Sequence, residues 1–246
     1  MSEVIAVASG KGGVGKTTVV AGLSACLAAM GYKVLAVDAD IGLRNLDIAL
    51  GMSDMTALDF GDVLAGRTSF EKAAVSHHEF KNLFLLNAPN VMPDAEDTEF
   101  AEMIRHAKSG FDYCFIDCSA GLGRSLRMAA ASADRAVIVT TPDIASLRDA
   151  ARTAELFEQY GVSKIGLIVN RVRPRLIEKG EAPNIDDAMD ASGVPLLGII
   201  PEDERVISGT NHGKPIVMTA TGGAALAFYN ISRRITGKKI PLMKIK

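Results

Sequence analysis

Two lysines stand five residues apart in the stretch SGKGGVGKTT (Ser9–Thr18), and only one of them has an evident role. A phosphate-binding loop reads G-x-x-x-x-G-K-[ST], and Gly10, Gly15, Lys16 and Thr17 satisfy it. The glycines at 10, 12, 13 and 15 let the backbone curl around phosphate with its amides pointing inward and no Cβ in the way. A helix that starts near Gly15 adds its positive end at the same spot. Lys16 then reaches the β- and γ-phosphates of ATP, or the β-phosphate of ADP, and the Thr17 hydroxyl ligates Mg²⁺. The whole loop, Gly10, Lys11, Gly12, Gly13, Val14, Gly15, Lys16, Thr17 and Thr18, is expected to contact nucleotide. Lys11 is surplus to the motif.

Carboxylates supply the second half of the chemistry. In VDADIGLRNLD (37–47), Asp38 and Asp40 sit one residue apart at the end of an apolar run. One can hold Mg²⁺ through water while the other orients the attacking water, or one caps the next helix and the other is merely solvated. Asp117 ends the run YCFID, the position of a second metal carboxylate, and Gly121 and Gly123 beyond it offer a loop able to sense a γ-phosphate. Asn170 and Arg171 follow another run, where an amide can pair with a base edge and a guanidinium can stack on a ring. Pro201, Glu202 and Asp203, in IPEDERV (200–206), are placed to wall the other side of a purine.

These residues need a scaffold that brings strand ends together. Apolar runs occur at 4–9, 33–38, 82–87, 113–118, 135–141, 164–170 and 196–200, separated by helical stretches at 16–30, 94–109, 145–160 and 221–236. Nearly continuous apolar strands imply a sheet covered on both faces, and the alternation implies right-handed crossovers. The expected fold is therefore an α/β, doubly wound, mostly parallel sheet of about seven or eight strands, a P-loop NTPase in one domain over 1–237 with a short basic tail at 238–246. Ligands of such sheets bind beyond the carboxyl ends of the strands, where every residue named above falls.

Bulk properties narrow the class. The 246 residues are 48% hydrophobic and 23% charged, with a formal charge of −2, so any contact with DNA would need a local basic patch. Cys26, Cys114 and Cys118 are too few and too scattered for a disulfide framework, and no CxxC is present for a metal. His77 and His78 lie in a polar connector and are expected to face solvent. The N-terminus lacks the pattern of a signal peptide and no apolar run approaches about 18 residues, so a cytoplasmic protein is expected.

The blocks GKGGVGKTT, VDADIGLRNLD and FIDCSAG resemble the deviant Walker-A ATPases, the MinD/ParA family. Within it, IGLRNLD (41–47), TPDIASLRDA (141–150) and GIIPEDERVISGTNHGKPIV (198–217) are similar to the MinD branch, so the likeness spans nearly the whole chain. The resemblance implies a Mg²⁺-dependent ATPase that forms a homodimer when ATP is bound and regulates where a cell divides. It also accounts for the surplus Lys11, which would cross the dimer interface and contact the partner's nucleotide, an arginine-finger device built from lysine. It further implies catalytic roles for Lys11, Lys16 and Asp40, metal roles for Thr17, Asp38 and Asp117, adenine contacts for Asn170 and Arg171, and partner contact near the dimer interface for Asp149.

Implied partners are a second copy, a division-inhibitor or topology-factor protein of the Min type, and an anionic membrane reached reversibly. Two features depart from the family pattern. Ser119 stands two residues after Asp117 where the family has proline. The tail TGKKIPLMKIK has Pro241 and scattered apolar residues in place of a cationic amphipathic helix, which leaves only its lysines (238, 239, 244, 246) to attract anionic lipid. The relatives that partition DNA are disfavoured by the pI near 6.1, metallocluster scaffolds by the lack of paired cysteines, and flagellar-number regulators by a start within two residues of the first strand.

Overall fold

Runs dominated by Val, Ile, Leu and Ala form strands whose residues are buried on both faces, because helices cover each side. The computed structural model describes residues 2–55, 57–91 and 94–243. Among these, eight strands are present: β1 (Glu3–Ala8), β2 (Val34–Ala39), β3 (Val75–Ser76), β4 (Leu83–Leu86), β5 (Tyr113–Cys118), β6 (Arg135–Thr140), β7 (Ile165–Val172) and β8 (Leu196–Pro201). They make one sheet in the order β3-β4-β2-β5-β1-β6-β7-β8. Each neighbouring pair is parallel except β3 with β4. The seven apolar runs thus become seven strands. The eighth, β3, is a two-residue antiparallel edge, too short to leave any periodic trace.

The helices are α1 (Lys16–Ala29), α2 (Leu46–Leu50), α3 (Phe60–Leu64), α4 (Phe70–Ala73), α5 (Asp97–Lys108), α6 (Arg124–Ser132), α7 (Ile144–Gln159), α8 (Pro174–Glu178), α9 (Ile185–Ser192), α10 (Glu204–Asn211) and α11 (Ala224–Ile235). Alternation along the strands divides the core. Ile5, Val7, Val34 and Ala36 pack with α1 and α11, whereas Val4, Ala6, Leu35 and Val37 pack with α5 and α6. Ile138, Leu167 and Val169 continue the second face under α7 and α9. Helix α1 is buried almost all round because the sheet lies on one side and α11 on the other. A Cβ on its Gly22 would sit 2.8 Å from the Phe228 ring, so the two helices meet at the minimum distance.

A still closer approach joins two loops. Gly51, after α2, and Gly213, after α10, both have left-handed backbones, and a Cβ on Gly51 would collide with the Gly213 carbonyl oxygen. Gly51→Ala combines left-handed strain with a backbone clash and is expected to destabilise by about 3 kcal/mol, read as the shift in urea midpoint at constant slope.

One expectation is overturned here. His77 does not face solvent: it is fully buried, its Nε2 donating to the Leu50 carbonyl at 2.9 Å while Nδ1 accepts from the Glu79 and Phe80 amides. Those two donors reserve Nδ1 as an acceptor, so the neutral ring is the one that fits. Burial pushes its pKa below the ordinary 6.5, aided by the charges of His78 and Lys81 and opposed by the Leu50 hydrogen bond and by Glu79. The unfolded chain therefore binds the extra proton more readily, and stability is full above 6.5 and lost as pH falls below it. Urea unfolding between pH 5 and 7.5 should show this loss, and His77→Gln should flatten the dependence.

Beyond α11, residues 238–243 form no helix, in line with the expectation from Pro241. Arg234 holds them down by donating to the carbonyls of Ile240, Pro241 and Leu197, and Met243 packs on the α1–α11 core. Lys244, Ile245 and Lys246 lie outside the described residues. No helix among the described residues is long and apolar enough to cross a membrane.

Candidate nucleotide site

Strand β1 stops at Ala8 and α1 starts at Lys16, so residues 9–15 form a loop at the carboxyl edge of the sheet's central strand. Gly15 caps α1 in a left-handed conformation, and a Cβ there would run into the Asn170 amide. Gly10 is required for a different reason: a Cβ there would meet the Asp149 backbone oxygen at 2.8 Å. The phosphate loop is therefore wedged between β7 and α7. No acidic residue stands in the first turn of α1, which leaves its amide ends and dipole free for an anion.

The two lysines are disposed oppositely. Lys16 is buried and its ammonium donates to the Ser9 hydroxyl at 3.0 Å. Lys11 is half exposed and leans away to Asp143, 3.4 Å distant, at the start of α7. An exposed pair of this kind contributes at most about 1 kcal/mol, so Lys11 leaves it at little cost. Asp143 is held in place by the Thr141 hydroxyl at 2.7 Å and the Ser146 amide at 3.0 Å. Its partial burial raises the pKa, but those hydrogen bonds and the Lys11 charge outweigh it and bring it to about 2.

Asp38 and Asp117 lie in register on adjacent strands, β2 and β5. Both Asp38 oxygens are engaged by backbone, one by the Asp40 amide at 2.8 Å and one by the Leu46 amide at 3.1 Å, so this carboxylate pins the 38–46 loop. Burial, together with the charges of Asp40 and Asp47, pushes its pKa to about 6 against those two hydrogen bonds. Asp117 is fully buried, yet neither of its oxygens accepts a hydrogen bond of normal geometry. Burial and the Asp38 charge push it to about 8, with the nearby Thr17 hydroxyl and Lys16 pulling the other way. A buried carboxylate without partners is costly unless something cationic completes it. Thr17 and Asp117 together fit a divalent cation. A Mg²⁺ held there would take its remaining ligands from phosphate and water. Asp40 is only partly buried. Burial raises its pKa while Lys16 lowers it.

A cleft of about 300 Å³ adjoins the loop, at the lower end of the usual range of about 300–1,000 Å³ for small-molecule pockets. Gly15, Thr18, Asn170 and Arg171 form one side, and Pro201, Glu202 and Asp203 another, so the residues singled out in the sequence do converge. Two details differ from expectation. Asn170 and Arg171 lie within β7 rather than after it, at an irregularity where Arg171 takes a left-handed backbone. Asn170 is buried and gives its amide to the Val14 carbonyl at 2.8 Å, tying the cleft to the phosphate loop.

Val206, the last residue of the 200–206 segment expected to wall the cleft, does line it, whereas Ile207, Thr210 and Asn211 of α10 escape sequence reasoning, as do Ser9 and Asp143. For Asp143 the signal exists: an Asp just before a helical pattern is an N-cap. Asp149 lies beside the loop, its backbone and Cβ against Gly10.

This sheet, with its phosphate loop and an additional lysine, defines a P-loop ATPase of the deviant Walker-A type. Residues 5–216 match the family model described as CobQ/CobB/MinD/ParA nucleotide binding domain. The septum site-determining protein MinD of Synechocystis sp. is 44% identical over 99% of this chain and 92% of its own length, and that of Bacillus subtilis is 40% identical over 100% and 93%. Among solved structures, the MinC:MinD cell division protein complex of Aquifex aeolicus superposes with a TM-score of 0.93 at 37% identity, covering 99% of each chain. The Pyrococcus horikoshii MinD complexed with Mg-ADP gives 0.85 at 35% identity, covering 96% of each. The chain belongs to the MinD family of septum site-determining ATPases.

Proposed function

We propose that this chain is an ATP-driven dimerising switch in division-site placement, in which two copies face each other across two ATP molecules and hydrolysis lets them part. The observation that carries this reading is the contrast between the lysines: Lys16 is buried within its own loop, whereas Lys11 is exposed and held outward by a weak ion pair. A cation placed there serves a neighbouring subunit better than its own phosphates. Exposed apolar side chains on the same edge support it. Leu43, Val91, Leu122 and Ile144 follow β2, β4, β5 and β6 and are 45–78% exposed. An apolar cluster at the strand ends is what a face-to-face partner would cover.

In this reading Gly10–Thr18 cradle the phosphates, Lys16 neutralises them, and Asn170, Arg171 and Pro201–Asp203 hold adenine. Thr17, Asp117 and, through water, Asp38 hold Mg²⁺, which when bound screens the phosphate charge against the attacking water. Asp40 orients that water, and Lys11 completes the partner's site with Asp149 close by. The ATPase unit spans 1–237 and the tail 238–246. By analogy with the Aquifex aeolicus complex, a MinC-type division inhibitor is the partner. Lys238 and Lys239 give the tail a reversible contact with an anionic membrane surface from the cytoplasmic side.

Sedimentation velocity with Mg·ATP and Mg·ADP, with and without anionic vesicles, tests this reading. ATP should raise the sedimenting mass to twice 26.0 kDa and ADP should not. An unchanged mass in ATP would reject the switch, and vesicles that pellet nothing in ATP would reject the membrane contact.

A further inference from the structure

Ser9 belongs to no phosphate-loop motif, yet three parts of the site meet on it. It is almost wholly buried. Its Oγ accepts from the Lys16 ammonium at 3.0 Å, and the same hydroxyl donates to the Lys11 carbonyl at 2.7 Å. Its own carbonyl accepts from the Gly121 amide at 3.2 Å, in the loop after β5 that follows Asp117. One small residue thus joins the lysine that meets phosphate, the backbone of the lysine that points outward, and the second switch loop.

The chemistry of these bonds is directional. A hydroxyl that accepts from an ammonium is polarised and becomes a stronger donor, so the Lys16–Ser9 contact strengthens the Ser9–Lys11 bond. Phosphate competes for the Lys16 ammonium. When Lys16 turns to phosphate, Ser9 loses its charged donor and its grip on the Lys11 peptide relaxes. The peptide that carries Lys11 is flanked by Gly10, Gly12 and Gly13, so the relaxed loop has freedom to redirect that side chain.

We propose that Ser9 is a positioning residue that relays occupancy of the phosphate site to Lys11: its hydroxyl holds the Lys11 peptide while Lys16 rests on it, and releases the peptide toward the partner when Lys16 is drawn to phosphate. This rests on the dimer reading above and adds what makes Lys11 responsive to ATP. The hydroxyl serves the resting state twice, as the partner of a buried ammonium and as the anchor of a loop. Removing it therefore has opposed consequences. Lys16 without its resting acceptor binds phosphate more readily, while the Lys11 loop loses the conformation from which it is delivered.

The experiment compares Ser9→Ala and Ser9→Thr with the parent chain. In nucleotide-free Ser9→Ala, amide hydrogen exchange over residues 10–13 should accelerate about tenfold, and the modest fall in melting temperature from the unpaired Lys16 ammonium should be recovered when Mg·ATP is added. Binding of a fluorescent ATP analogue should be unchanged or tighter, while kcat falls about tenfold and the ATP-dependent dimer weakens. Ser9→Thr, which keeps the hydroxyl, should restore exchange and kcat. The proposal is overturned if exchange and kcat match the parent, or if nucleotide affinity, kcat and melting temperature all fall together, the mark of a merely structural serine. A parallel Lys11→Ala measurement separates the two layers. If it abolishes the dimer while Ser9→Ala changes nothing, only the relay is lost. If it leaves both dimer and turnover intact, the dimer reading itself fails.

Discussion

Lys11→Ala is expected to bind Mg·ATP within about fivefold of the parent affinity while its ATP-dependent dimer disappears and its turnover falls at least about 100-fold. The small change in binding follows from the exposed ion pair. Lys11 and Asp143 are each about half exposed at 3.4 Å, and such pairs contribute at most about 1 kcal/mol. Melting temperature should barely move for the same reason. The large loss of turnover follows from where the side chain acts. A donor aimed at charge that develops only in the transition state is worth about 10²–10³ in rate. Lys16→Ala differs in kind, because it removes the buried cation of the subunit's own loop and weakens nucleotide binding itself. Sedimentation velocity and phosphate release, run on the same preparation, decide the matter. A Lys11→Ala protein that dimerises with ATP, or that turns over within threefold of the parent, ends the trans role.

Asp40→Ala is expected to hold Mg·ATP, lock the dimer and lose hydrolysis by about 10²–10⁴, the usual worth of a positioned base. Its fold should not suffer. Asp40 is one of the charges that push Asp38 and Asp117 upward, so removing it relieves repulsion among three carboxylates. The melting temperature of the nucleotide-free protein should equal or exceed the parent's. Single-turnover phosphate release measures the chemistry and sedimentation measures the locked dimer. Unaltered turnover removes Asp40 from the mechanism, and lost binding reassigns it to the metal or the fold.

Legibility of the site in the sequence divides along a physical line. The phosphate loop is legible because its demands are local: glycines for curvature, a cation and a hydroxyl at set spacing. Asp117 and the Asn170–Arg171 pair are legible because strand ends converge in any parallel sheet. His77 is misread for the complementary reason. Its burial is created by the Leu50 carbonyl, 27 residues away, and by the turn to Phe80, neither visible in a two-histidine connector. Ser9 is silent because serine before a glycine-rich loop has no distinctive spacing. Its importance comes from Lys16 folding back and from Gly121 arriving from another strand. Helix α10 is only eight residues long, too short for its periodicity to stand out, and it becomes a cleft wall by packing against α2, which arrives from far earlier in the chain.

The backbone contact between Gly51 and Gly213 has a mechanical corollary. Two chains touching without side chains have no soft layer to absorb a displacement. Gly213 lies just beyond the helix that walls the cleft. Gly51 terminates the helix whose first amide, Leu46, is fastened to Asp38, the anchor of the loop bearing Asp40. A displacement of the cleft wall would thereby be carried to the loop that bears Asp40, which is the coupling the proposed switch calls for between its base and its hydrolytic water.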